Sequence, residues 1–151
     1  MAKIKFLIVV VAACFSFLGS TAFAATLSVP NWGPYEVGQT FTVPVFVSTA
    51  AGESMNAVSG MVSFESDKLR VLSVDKTGVL NFWLQDPAFS NAAGTVSFEG
   101  GVYNPGYAGN RGTVFSITFR ALSPGDAAVT FSNPSILAND GLGTDITAGA
   151  S

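Results

Sequence analysis

Hydrophobic and polar positions alternate most regularly over residues 113–121, Thr-Val-Phe-Ser-Ile-Thr-Phe-Arg-Ala. Phe115, Ile117, Phe119 and Ala121 take every second position, with Ser116, Thr118 and Arg120 between them. A period of two is what a strand with one dry and one wet face requires. Leu122-Ser123-Pro124-Gly125 then stops the run with turn residues. The pattern predicts a central strand of a β-sandwich.

The same period recurs along the chain. Residues 25–29 read as a short first strand ended by Pro30. In 40–48, Phe41, Val43, Val45 and Val47 alternate with other residues, and Pro44, which has no N–H to donate, predicts an edge or bulged strand. In 56–65, Val58, Gly60, Val62 and Phe64 share one face, and Ser59, Met61 and Ser63 project from the other. Further strands are expected over 69–74, over 95–99 with Val96 and Phe98 inward, and over 127–131, 135–138 and 144–148. For Asn81-Phe82-Trp83-Leu84, periodicity does not decide between a strand and an aromatic loop. No run of ten residues shows the helical period, so eight or nine short strands joined by Gly, Asn, Asp and Pro indicate an all-β sandwich or barrel. The last predicted strand reaches almost to Gly149-Ala150-Ser151, as expected for a piece of a longer protein.

The N-terminus departs from this pattern. Lys3 and Lys5, an apolar run over 6–18 and the small-x-small triplet Ala22-Phe23-Ala24 predict a signal peptide over 1–24, cleaved between Ala24 and Ala25. The run is shorter than the about 20 residues that span a bilayer. Val11-Ala12-Ala13-Cys14 offers a second outcome, a lipid on Cys14, although Phe15-Ser16-Phe17-Leu18 continues the apolar run where a lipoprotein turns polar. The chain is thus expected to be secreted, with a lipidated cell-surface form as the alternative. Its mature part, residues 25–151, forms one domain without cysteine and without a transmembrane segment.

Charge narrows the partners. Losing Lys3 and Lys5 leaves five basic residues against ten acidic ones, a net charge of −5. Nucleic acid is an unsuitable partner for such a surface, since it demands clustered Lys and Arg.

Catalytic chemistry is hard to assemble from this composition. The chain has no histidine, so no Ser-His-Asp, Cys-His or imidazole–zinc arrangement exists. Paired carboxylates for glycoside hydrolysis would have to come from Glu65 with Asp67 or Glu99 with Asp126, and solvated strand ends explain these residues more simply. Asp140 and Asp145 are the candidates for calcium, against the simpler reading of a Gly-rich turn using Asn and Asp for backbone reasons. The expectation is a protein that is not an enzyme and has no required cofactor.

Aromatic residues are better candidates for binding. Trp32, Trp83, Tyr103 and Tyr107 lie in or beside predicted loops, where rings can stack on sugars or anchor a protein interface. Trp83, with Phe82, could equally close one end of the sandwich as core. Ser59, Met61 and Ser63 define a flat surface of low charge suited to docking.

Taken in order, these segments resemble the cohesin domain of bacterial cellulosome scaffolds and its cohesin-like relatives. Val37-Gly38-Gln39 with Phe41-Thr42-Val43-Pro44-Val45 is similar to the family's opening strand. Gly60-Met61-Val62-Ser63-Phe64-Glu65 with Ser66-Asp67-Lys68-Leu69-Arg70-Val71 resembles its central hairpin. Gly94-Thr95-Val96-Ser97-Phe98 and the 115–121 strand resemble two later strands, and 125–131 with Leu137-Ala138-Asn139-Asp140-Gly141 completes the series. The resemblance covers nearly all of 25–148. It implies a nine-stranded jelly-roll-like sandwich, related to bacterial carbohydrate-binding modules, whose partner is a dockerin held on one flat sheet face. Asn139 to Asp145 does not fit the calcium-loop spacing of a dockerin itself.

The function expected from all this is a secreted, non-catalytic binding module for a dockerin-like protein in extracellular assembly or attachment. Polysaccharide binding through the loop aromatics, with a place in polysaccharide catabolism, is the alternative. A structural surface-layer or appendage subunit is the second.

Overall fold

The computed structural model describes residues 24–31 and 33–151. The predicted signal segment 1–23, with Cys14, and Trp32 lie outside the described residues. Nine strands occur: β1 Ala25–Ser28, β2 Thr40–Thr49, β3 Met55–Phe64, β4 Leu69–Asp75, β5 Phe82–Ser90, β6 Thr95–Gly101, β7 Gly112–Ala121, β8 Val129–Ala138 and β9 Thr147–Ala150. They form a five-stranded sheet ordered β4-β7-β2-β1-β9 and a four-stranded sheet ordered β5-β6-β3-β8. Neighbours pair antiparallel except β1 with β9, which run parallel. This is the all-β sandwich of nine strands that the alternation predicts. Among the described residues no helix is long and apolar enough to cross a membrane.

The core lies between the sheets and is wholly apolar among the described residues. Phe115, Ile117 and Phe119 of β7, with Val43, Val45 and Val47 of β2, supply one side. Val58 and Val62 of β3, Val96 and Phe98 of β6 and Ile136 of β8 supply the other. Edge-on ring contacts cross the gap: Phe98 to Phe115 at 4.8 Å, Phe64 to Phe119 at 5.2 Å and Trp83 to Phe115 at 6.1 Å between centroids. Such T-shaped geometry sets the positive edge of one ring on the negative face of the next. β7 is an interior strand, lying between the edge strand β4 and the middle strand β2.

Departures from the expected pattern have identifiable causes. β2 is not an edge strand: it lies between β7 and β1. Pro44 is tolerated because the β1 ladder ends at Phe46, leaving Pro44 paired only with Ser116 of β7. Nor is β2 itself the bulged strand: the register shifts between Val45 and Phe46, but the extra residue, Val114, is on β7. Residues 129–131 and 135–138 are not two strands but parts of one, β8, carried through Asn133 at φ 50° and a register shift opposite Ser59 and Met61, and 127–128 precede it. The last strand runs Thr147–Ala150 instead of over 144–148, because Asp145 instead bridges to Leu137. Of the 81–84 segment, Phe82, Trp83 and Leu84 open a strand that continues to Ser90. Two register shifts against β6 break its alternation, and Pro87 is accommodated because β5 is an edge.

β4 ends the other sheet, and its open side is plugged. The Asn91 amide accepts from the Val71 N–H at 2.7 Å and donates to the Val71 carbonyl at 3.0 Å, imitating a neighbouring strand. Blocking an edge in this way denies it to other chains. Asn91→Ala leaves both Val71 groups without their partner and is expected to lower stability in urea unfolding by about 1–3 kcal/mol. Asn91→Asp keeps the acceptor and should fall between the two.

Candidate binding face

The outer face of the four-stranded sheet is built by register. Ser63 stands level with Thr95 and Thr130, Met61 with Ser97 and Ser132, and Ser59 with Glu99 and Ser135. β5 extends the rows with Ser90, Ala88 and Gln85. Eight of these twelve positions are Ser or Thr, and only Glu99 is charged. Two side-chain bonds tie strands together: the Ser63 and Ser132 hydroxyls lie 3.2 Å apart, and the Gln85 amide donates to the Ser97 hydroxyl at 2.8 Å. Met61 is the one long apolar side chain in the middle row.

Chemically, such a face has properties that suit docking. Short hydroxyl side chains have little rotamer freedom to lose, and the hydrogen-bonded strands beneath them are already ordered. A flexible thioether among them adapts to an apolar partner group. The alternation of β3 reveals Ser59, Met61 and Ser63 as outward-facing; their neighbours on β5, β6 and β8 appear only once the strand order is known.

The aromatic candidates separate. Trp83 is half-buried and packs edge-on to Phe115, so it closes the core. Tyr107 is also half-buried, and it lies where a Cβ at Gly112 would overlap its ring. Tyr103 is 65% exposed and stacks on Phe82 at 5.2 Å and 25°. Gly101 makes room for that pair, since a Cβ there would overlap the Phe82 ring.

Three of the six candidate carboxylates, Glu65, Asp140 and Asp145, are occupied locally. Glu65 binds the Lys68 ammonium at 3.0 Å and accepts from the Ala128 N–H at 2.6 Å, while Asp67 lies in the adjoining turn. Glu99 is on the hydroxyl face, whereas Asp126 lies in the β7–β8 loop beside Gly33. Asp140 accepts from the Leu142 N–H and the Thr144 hydroxyl, and Asp145 from the Thr147 N–H. Among the described residues no three His, Cys, Asp or Glu side chains gather as metal ligands.

These bonds hold several carboxyls below their usual range. For Glu65 the Ala128 amide is the main cause, followed by Lys68. For Asp75 and Asp145 it is the hydroxyl and amide of Thr77 and Thr147 respectively. For Asp140 it is first the Thr144 hydroxyl.

No protein-family model matches the chain, and no curated protein matches it in sequence. Solved structures do match in three dimensions. The non-cellulosomal cohesin of the hyperthermophilic archaeon Archaeoglobus fulgidus superposes with a TM-score of 0.66 at 20% identity, over 84% of this chain and 86% of that one. The fold is that of the cohesins. A type I cohesin–dockerin complex from Clostridium thermocellum, Coh-OlpC with Doc435, gives a TM-score of 0.70 at 15% identity over 87% and 92% of the two chains. The sixth cohesin of Acetivibrio cellulolyticus scaffoldin B, in complex with a mutant Cel5 dockerin, gives 0.63 at 20% identity over 87% and 95%.

The depressed carboxyls fix the sign of the acid response of this cohesin fold. A group that binds its proton less readily when folded stabilises the fold above its unfolded pKa and loses that contribution as pH falls through its folded pKa. Urea midpoints should therefore fall on acidification from about pH 6 to about pH 3. Glu65→Gln should unfold at lower urea than the unmodified chain near neutrality, and the difference should shrink in acid.

Proposed function

We propose that this chain is a secreted, non-catalytic binding module that docks a dockerin-like protein on the outer face of its four-stranded sheet. Residues 1–24 act as its signal peptide, and mature residues 25–151 serve in extracellular assembly or attachment. The observation that carries the reading is the preformed hydroxyl face centred on Met61, with Ser59 and Ser63 beside it, on a cohesin fold. Cohesins of similar structure are found in complex with dockerins, which favours a protein partner. That the Archaeoglobus relative is non-cellulosomal widens the setting beyond cellulosomes. Glu65, Asp140 and Asp145 bond to turn and loop groups, which fits a module without catalysis.

A second reading rests on Tyr103, whose exposed ring stacked on Phe82 offers a sugar-binding surface. Calorimetric titration against a panel of dockerins tests the choice. Met61→Asp is expected to weaken binding by about tenfold or more while leaving urea unfolding unchanged, as for a central interface residue. Tyr103→Ala should leave dockerin binding unaltered. Retention on insoluble polysaccharide that Tyr103→Ala abolishes and Met61→Asp spares would replace the first reading by the second.

A further inference from the structure

The opposite side of the sandwich has a different chemistry. On the outer face of the five-stranded sheet, Arg70 of β4 stands directly opposite Arg120 of β7, and both are exposed. Like charges placed opposite one another on neighbouring strands destabilise the pairing. The other described basic side chains all have partners: Lys68 pairs with Glu65, Lys76 pairs with Asp86, and Arg111 covers the Phe46 ring at 4.3 Å. Neither the Arg70 nor the Arg120 guanidinium has an ion pair, hydrogen bond or ring contact among the described residues. In a mature chain of net charge −5 with ten carboxylates, two facing cations have no ion pair with any of them.

The surrounding backbone shapes a groove at this site. A register shift in β4 makes Leu72 the extra residue, which leaves it 47% exposed beside Arg70 and returns Val74 to the core. Bulges re-aim side chains in this way. Across the groove, the Gly38 N–H donates to the Ala121 carbonyl at 2.8 Å and ties the 36–39 turn to the end of β7. A Cβ on Gly38 would lie 3.8 Å from an Arg120 guanidinium nitrogen, so the arginine reaches across to that turn. Val37, 65% exposed, and Leu122, 43% exposed, complete an aliphatic rim around the two cations.

We infer that this groove is a second docking surface, which takes a short peptide segment of a partner protein carrying acidic and aliphatic side chains. Each guanidinium presents a planar fork that fits a carboxylate with two parallel hydrogen bonds. Carboxylates bound there remove the repulsion between Arg70 and Arg120, while Val37, Leu72 and Leu122 shield aliphatic groups from water. An anionic polysaccharide is a poorer occupant. The rim has no aromatic ring on which a sugar could stack, and a long polyanion would be repelled by the net negative charge of the remainder of the domain. The surface is on the sheet opposite the hydroxyl face, so its role is independent of the function proposed above.

Fluorescence anisotropy of the full chain with a labelled Glu-Leu-Glu-Val-Glu-Leu peptide tests this, with an oligogalacturonate as competitor. The expected result is saturable binding that weakens as salt is raised from about 50 to about 500 mM. Arg70→Gln and Arg120→Gln should each weaken it by about tenfold or more, and Met61→Asp should not change it. Urea unfolding of both arginine variants should be unchanged or improved, because one of two facing like charges is gone. If either variant loses cooperative unfolding, Leu72→Ser decides in its place: binding severalfold weaker supports the groove, and unchanged binding overturns it. Absence of saturable peptide binding, equal affinity in the arginine variants, or tighter binding of the oligogalacturonate than of the peptide would overturn the inference.

Discussion

The two sheets are joined by rings that meet at one strand. Phe115 receives Phe98 and Trp83 edge-on, and Phe119 receives Phe64, so β7 is the surface on which β3, β5 and β6 close the core. The described residues contain no cysteine, so no disulfide supplements this packing. Fully burying aromatic and branched side chains stabilises by roughly 1.5–3 kcal/mol each before entropy is set against it. The positions of β7 that face away from the core are then free of a packing role, as Arg120 and Thr118 are.

With the inner layer supplying cohesion, the outer faces can differ from each other. One is a plane of hydroxyls around Met61 with a single carboxylate; the other carries two facing arginines between aliphatic rims. Both are laid on paired strands, whose backbone is already ordered. Ordered strands also explain how chains only 15–20% identical share this fold. Burial constrains the alternating inward positions, and the outward ones are left to vary.

Legibility in the sequence followed the same division. β3, β6 and β7 were readable because their inward residues keep a period of two, and Ser59, Met61 and Ser63 were placed outward by the same rule. Where a bulge inserts a residue, the period fails. Leu72, the bulged residue of β4, and the shifts that interrupt β5 have no signature in composition, and neither does the bend of β8 at Asn133. Pro44 signalled an unpaired side correctly, but the missing neighbour is only the end of β1, not the edge of a sheet. Tyr103 and Tyr107 looked alike in a loop; the space over Gly112 that takes the Tyr107 ring is a property of the fold. The facing of Arg70 and Arg120 likewise requires the pairing of β4 with β7, which sequence order does not give.

The dependence of the whole sandwich on the inner face of β7 is tested most directly by comparing urea unfolding of Phe115→Ala with that of Ser116→Ala. Phe115→Ala is expected to lose about 3–5 kcal/mol, and its outward-facing neighbour to change by no more than about 0.5 kcal/mol. Equal stability of the two variants would contradict that dependence.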